Sequence, residues 1–339
     1  MIVAGDQPQG LTIAAHAIRD GQLVGLPTET VYGLAADAEN PQAVEQIFKV
    51  KGRPADHPLI IHVHDRVAAS HFASHIPEFA HALMRAFWPG PLTVILHRRA
   101  SVAEKAAGGH ATVGLRCPSH PVAQALLAQL SRVEPGSRVV HGLAAPSANM
   151  FGRVSPTKAE HVVADLGSDL VVLDGGDCAV GIESTIVDCS REQPVLLRPG
   201  VITVTQLEVV CGTPVLTAQE SSNVLGATPK APGTLASHYA PSAKVRLMDS
   251  VPMLAALRER VQSGELMPLA VWVRSFDPPA EQGLLVQRMP ENPEEAARQL
   301  FATLRHFDTL GVKEIWIEPV PSGDAWEGVR DRLVRAAHT

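Results

Sequence analysis

Residues 27–63, PTETVYGLAADAENPQAVEQIFKVKGRPADHPLIIHV, decide how the rest of the chain is read. An apolar strand, Leu23 to Leu26, runs into Pro27, which has no N–H to give a ladder and so ends the strand. Thr28, Glu29, Thr30 and Tyr32 then crowd three hydroxyls and a carboxylate in front of Gly33. Asn40 and Pro41 read as cap and first position of a helix whose Val44, Ile47 and Phe48 recur at helical spacing. That helix ends among Lys49, Lys51, Gly52 and Arg53; His57 and Pro58 lead into a second apolar strand, Leu59 to Val63, bearing His62. Hydroxyls, cations and imidazoles thus gather at strand ends, where α/β proteins place ligands.

Each piece also has a plain structural explanation. Lysines at a helix C-terminus complement the macrodipole, which explains Lys49 as well as any ligand does. Threonines after a strand cap turns. The density of such features in one segment favours an anion-binding site.

Outward from this stretch, helices are expected over 11–20, 67–87 with a restart at Pro77, 121–130, and from an Ser155 cap with Pro156 first to about Leu166. Strands are expected over 92–96, 112–116, 139–145, 170–174, 184–188 and 195–198, with 170–174 and 184–188 forming a paired ribbon. Many strands with few regular βαβ repeats predict an α/β domain with a mixed sheet over 1–211. The stretch 212–243 is rich in Thr, Ser, Pro and Gly and reads as a linker. Within it 229–241, PKAPGTLASHYAP, carries ligand-capable His238 and Tyr239, so a lid is expected. Alternating strands and helices over 244–339 predict a smaller α/β domain. The stretch 131–138 reads as a surface loop.

The 339 residues carry net charge −6, with 16 basic against 20 acidic residues in 1–211 and 13 against 15 in 212–339. Neither part has the cationic excess of a broad nucleic-acid surface, and aromatics are only 4%, which disfavours base stacking. No apolar run reaches the ~18 residues of a membrane span, and the N-terminus lacks a signal-peptide pattern. Four scattered cysteines without a CxxC pair point to reduced thiols in a cytoplasmic protein, and no metal ligands are expected. P-loop, GxGxxG, HExxH and GxSxG motifs are missing, so a bound nucleotide would rely on arginines, lysines and helix N-termini.

PTETVYGL, KVKGRP and HPLIIHV, followed in order by LRCP (115–118), PSAN (146–149), GIESTIVD (181–188), LRPG (197–200) and APGTLASHYAP (231–241), resemble the YrdC/Sua5 family, the threonylcarbamoyl-adenylate synthases, in its longer, two-domain form. The resemblance covers roughly the first 240 residues. It implies a YrdC-like twisted mixed sheet with a concave site, followed by a C-terminal Sua5 domain. It also implies an enzyme that condenses L-threonine, bicarbonate and ATP, with Mg²⁺ accompanying the ATP. The product would pass to the machinery that modifies tRNA adenosine, and direct tRNA contact is left open. By the same resemblance Thr30, His62, Arg116, Ala145 and Ser184 face the threonine. Arg53, His57, Thr112, Ser147, Asn149, Ser155, Arg198 and His238 or Tyr239 face the nucleotide. Lys51 and Arg53 would act on the converging anions. His57 stands where many relatives have Asn, and Thr234 where Met is common, which blurs those two contacts. The competing expectation is an RNA-binding module using the concave cationic surface. Related enzymes that use carbamoyl phosphate carry zinc-finger modules that this sequence lacks.

Overall fold

The structure, a computed structural model, describes every residue except 134, 135, 137, 226–228, 234–237, 265–267 and 339, with the backbone alone for 223–225. The chain divides into two compact units, Met1–Phe151 with Ser155–Thr234, and Gly152–Val154 with Leu235–Thr339. The lid stretch and the loop 131–138 each fall partly outside the described residues.

The first unit holds an eleven-stranded mixed sheet among the described residues. Its strands are β1 (Ile2–Ala4), β2 (Val24–Leu26), β3 (Gly33–Asp37), β4 (Ile60–His62), β5 (Leu92–His97), β6 (Thr112–Arg116), β7 (Leu143–Ala144), β8 (Val171–Asp174), β9 (Thr185–Asp188), β10 (Val195–Arg198) and β11 (Leu216–Thr217). Across the sheet they run β1-β8-β2-β3-β7-β4-β6-β5-β9-β10-β11.

The helix Pro41–Lys51 forms as its sequence predicts. The Asn40 carboxamide accepts the N–H groups of Gln42 and Ala43 at 3.1 Å each, and Gly52 closes the helix at φ 62°, the left-handed turn glycine favours. Both faces of β3 and β7 are covered. On one, Ala36, Ala144, Ile61, Leu115, Val94 and Val187 join the core with Ile47, Phe72, Leu83 and Met84 from helices Pro41–Lys51, Arg66–Phe72 and Glu78–Phe87. On the other, Ala35, Leu143 and Ala145 pack with Ile18 and Leu126 of helices Pro8–Arg19 and Pro121–Leu130. Beyond β7, among the described residues, that second face carries a small apolar cluster, Ile60, Ile95, Ile186, Val195 and Leu197, with Leu216, Ala218 and Ala231 against it.

Several expectations need correction. The strands 171–174 and 185–188 do not pair: β8 lies between β1 and β2, and β9 between β5 and β10. Adjacency in sequence suggested a ribbon, but strands this apolar are sheet-interior strands that need neighbours on both sides. Ser155 does not cap a helix. That helix starts at Ala159 with Lys158 as its cap residue, and the Ser155 hydroxyl goes to Glu183 instead. The 139–145 strand shrinks to Leu143–Ala144. Part of the 212–243 stretch is regular, since β11 pairs with β10 and a helix covers Ala218–Leu225.

The second unit has a wholly parallel four-stranded sheet among the described residues, β12 (Lys244–Leu247), β13 (Leu269–Val273), β14 (Leu284–Arg288) and β15 (Glu314–Ile317), ordered β12-β15-β13-β14. Helices Ser250–Ser263 and Pro293–Thr309 carry the chain from β12 to β13 and from β14 to β15, whereas the adjacent parallel pair β13 and β14 is joined by residues 274–283 without a helix. No helix among the described residues is long and apolar enough to cross a membrane.

Candidate active site

Strand register lines up the polar side chains on the less covered face. His62 of β4 pairs with Arg116 of β6, Arg116 with Thr93 of β5, and Thr93 with Ile186 of β9, and a register shift between Leu196 and Arg198 brings Arg198 of β10 opposite Ile186. Directly paired residues share a face. One row across five strands therefore presents an imidazole, two guanidiniums and a hydroxyl. A second row, Ile60, Gly114 and Ile95, forms an apolar floor beside it.

Arg116 is the hub. It donates to the Thr30 hydroxyl at 2.7 Å and to the Gly90 carbonyl at 3.3 Å, and its other arm meets the Glu29 carboxylate at 2.7 Å. Both ionic partners are almost fully buried. Burial alone would push the Glu29 carboxyl up, but the Arg116 charge holds it below its ordinary value. Burial, with Arg116 adding to it, pushes the His62 imidazole down to about 3. His62 is therefore neutral at ordinary pH and works as a hydrogen-bonding group, not a cation.

A second cluster adjoins the first. Arg198 donates to the Ser184 carbonyl at 2.9 Å and hydroxyl at 3.1 Å, and to the Pro232 carbonyl at 3.0 Å; the Ser184 and Thr93 hydroxyls lie 2.7 Å apart. The structure thus joins Thr30, His62, Arg116, Ser184 and Arg198 into one surface, with Ala145 anchored beside it by its N–H to the Ile60 carbonyl at 3.0 Å.

Lys51, expected to act on the converging anions, lies beneath the PSAN turn. Its ammonium is fully buried and donates to the carbonyls of Ser147 and Asn149, so it organises the PSAN turn. Burial, reinforced by Arg53, lowers it to about 7. Arg53 donates to the Pro58 carbonyl at 3.0 Å and stacks over Phe151 at 5.7 Å; the His57 ring meets the same phenyl edge-on at 5.7 Å. Thr112 stands at the opposite end of β6 from Arg116, about 13 Å away along the strand. His238 and Tyr239 belong to the second unit. They are buried there, ring to ring at 4.2 Å, with Tyr239 against Phe301 and Arg332.

Sequence reasoning missed Thr93, Phe151, Glu183 and the pairing role of Glu29. Glu29 and Glu183 do sit inside the PTET and GIEST strings, and a carboxylate among buried hydroxyls signals a paired cation. Thr93 and Phe151 are visible only through register and packing.

A mixed α/β sheet with oriented cations and hydroxyls gathered on one face defines a site suited to activating anions by position and charge. The family model Sua5_yciO_yrdC, described as telomere recombination, matches residues 16–200, and the threonylcarbamoyl-AMP synthase C-terminal domain model matches residues 202–338. The threonylcarbamoyl-AMP synthases of Pyrococcus abyssi and Bacillus subtilis are each 38% identical to this chain, covering 96% of it and 94% and 92% of their own lengths. The crystal structure of P. abyssi Sua5 complexed with L-threonine is similar with a TM-score of 0.86 at 36% identity, over 99% of this chain and 97% of that one. The chain belongs to the Sua5/YrdC family of threonylcarbamoyl-AMP synthases.

Proposed function

We propose that the protein joins L-threonine, bicarbonate and ATP into threonylcarbamoyl-AMP and pyrophosphate, in the cytoplasm, where the product serves tRNA modification. The observation that carries this reading is the single row of His62, Arg116, Thr93 and Arg198. The reaction must bring a carbamate anion to the α-phosphorus of a polyanion, so it needs fixed positive charge more than a protein nucleophile. The amine of threonine first takes up bicarbonate with loss of water. A carbamate oxygen then attacks the α-phosphorus, and the bond to pyrophosphate breaks.

In this reading Thr30, neutral His62, Arg116, Ala145 and Ser184 surround the threonine, with Arg116 the partner for its carboxylate. Arg198 lies between threonine and nucleotide, since it holds Ser184. Arg53, His57, Thr112, Ser147, Asn149, Ser155 and His238 or Tyr239 serve the nucleotide, and Lys51 fixes the PSAN turn. The solved threonine complex of the P. abyssi relative supports threonine as the substrate. Mg²⁺ enters as part of the ATP substrate. Glu29 is spent on Arg116 and Glu183 takes the Ser155 hydroxyl, which does not fit a protein-held Mg²⁺ cage.

An RNA-binding role is weaker. The row's cations are buried and each is held by several partners, Arg116 by Glu29, Thr30 and Gly90 and Arg198 by Ser184 and Pro232, whereas backbone binding uses exposed cations spread over a surface. The test is pyrophosphate release with threonine, bicarbonate or ATP omitted in turn. Each omission should abolish release, and turnover indifferent to threonine would reject the assignment.

A further inference from the structure

Outside the row, three side chains from distant parts of the sequence meet beyond the ends of β3 and β7. Glu39 follows β3, His71 lies in the last turn of helix Arg66–Phe72, and His141 precedes β7. The Glu39 carboxylate lies 3.0 Å from His71 Nε2, the His71 and His141 rings face each other with centroids 3.8 Å apart, and one ligand atom from each residue falls within 4.8 Å of the other two. We propose that Glu39, His71 and His141 form a binding site for a borderline transition-metal ion, with Zn²⁺ as the representative.

The donor set argues for that class of ion. Two imidazoles and one carboxylate suit Zn²⁺ or Cu²⁺, whereas Mg²⁺ and Ca²⁺ select oxygen ligands throughout. Ligand atoms on one tetrahedral ion at ~2.0–2.1 Å stand roughly 3.3 Å apart, so the Glu39–His71 separation of 3.0 Å already fits, while His141 has to turn out of its stack on His71 to bring a nitrogen in.

The ligands are also held by rigid neighbours. Phe72, next to His71, is fully buried, and Ala38, next to Glu39, donates its N–H to the Gly142 carbonyl at 3.0 Å, next to His141. A Cβ on Gly142 would stand 2.9 Å from the Phe72 ring and 2.8 Å from Ile61, so only glycine lets these segments approach so closely. The Glu39 N–H is fixed by the Asp37 carboxylate at 2.9 Å, and that carboxylate is engaged by Arg138 on its other side. Such preorganisation is what a metal site requires of its scaffold. His141 is exposed, which gives an ion a path in, and Glu39 borders a cavity of about 380 Å³ with Pro41, Ser101 and Lys105.

The test uses the full chain without a histidine tag, stripped by chelator, kept reduced and titrated calorimetrically with Zn²⁺. One ion should bind per chain. Partners one layer away from a metal change affinity about 10- to 100-fold, so His141→Ala and Glu39→Gln should each weaken binding by at least about 100-fold, with unchanged circular dichroism. Co²⁺ in place of Zn²⁺ should show a spectrum of nitrogen and oxygen ligation. No uptake by the wild type, unaltered affinity in either variant, or a thiolate-to-cobalt charge-transfer band would overturn the site.

Discussion

Both units bury charge, but they use it differently. In the second unit Glu318 accepts the N–H groups of Arg274 at 2.6 Å and Ser275 at 2.9 Å, which ties down the chain leaving β13. Arg332, wholly buried, pairs with neighbouring Asp331 at 3.1 Å and stacks on Tyr239. These contacts are local braces. In the first unit Arg116 and Arg198 come from separate strands and share one face, which helices Pro8–Arg19 and Pro121–Leu130 cover, among the described residues, only as far as β7. Buried charge is therefore not in itself the mark of a site. Charge brought into register on a half-covered face is.

The sharpest way to break this contrast is Arg116→Ala. Removing one partner of a buried pair leaves Glu29 uncompensated, which should destabilise the unit by about 3–5 kcal/mol and abolish measurable pyrophosphate release. Adding Glu29→Gln should recover most of the melting temperature and none of the activity. A double variant that regains turnover would make Arg116 a brace like those of the second unit. Next comes Lys51→Met, which keeps the buried volume but frees the Ser147 and Asn149 carbonyls. Loosening the PSAN turn on the proposed nucleotide side should lower kcat/KM by roughly 30- to 1000-fold, or about 2–4 kcal/mol. Activity within twofold of wild type in folded protein would remove Lys51 from the machinery.

How much of this was legible in sequence depends on the range of the interactions. The Asn40 cap, the Gly52 stop and β6 were readable because their causes lie within a few residues. The Ser155 error shows the limit of local rules: a good cap residue before proline was claimed by Glu183, 28 positions away. The family strings marked Arg116 and Arg198, but Thr93 gained its place only through pairing with β6 and β9. Glu39, His71 and His141, spread over about a hundred positions, leave no spacing pattern, so no metal ligands were expected from the sequence.

Acid should separate the two kinds of buried group. The unfolded chain protonates His62 near pH 6.5, while the folded chain refuses that proton until about pH 3. His62 therefore adds stability that is complete above pH 6.5 and lost as pH falls from there toward 3. The Glu29 contribution is present above its ordinary value of 4.5 and disappears below it, so it is lost later on the descent. Denaturant melts of wild type and His62→Gln between pH 7 and 4 should show a shallower slope in the variant. Parallel slopes would mean that His62 is not held neutral. In the second unit, Glu318→Ala should cost about 1–3 kcal/mol of stability by orphaning two backbone donors, and should leave pyrophosphate release by folded protein unchanged.

The smallest effect probes the floor between the charged residues. Gly114 sits in β6 between Ile60 and Ile95, where a Cβ would stand 3.5 Å from Thr93, 3.6 Å from Ile60 and 4.0 Å from Ile95, all ordinary contacts. Its backbone is extended strand, which alanine adopts freely, so the fold has no need of glycine there. Gly114→Ala should therefore hold stability level or raise it by about 0.4–1 kcal/mol, because the unfolded chain loses freedom. The added methyl nevertheless stands on the face that carries Arg116, where a flat group would lie against the apolar floor. The expected result is an unchanged or higher melting temperature with a several-fold rise in KM for ATP or threonine. An unchanged KM for both would show that the second row lies outside the site and that substrate contact is confined to the row of His62, Arg116, Thr93 and Arg198.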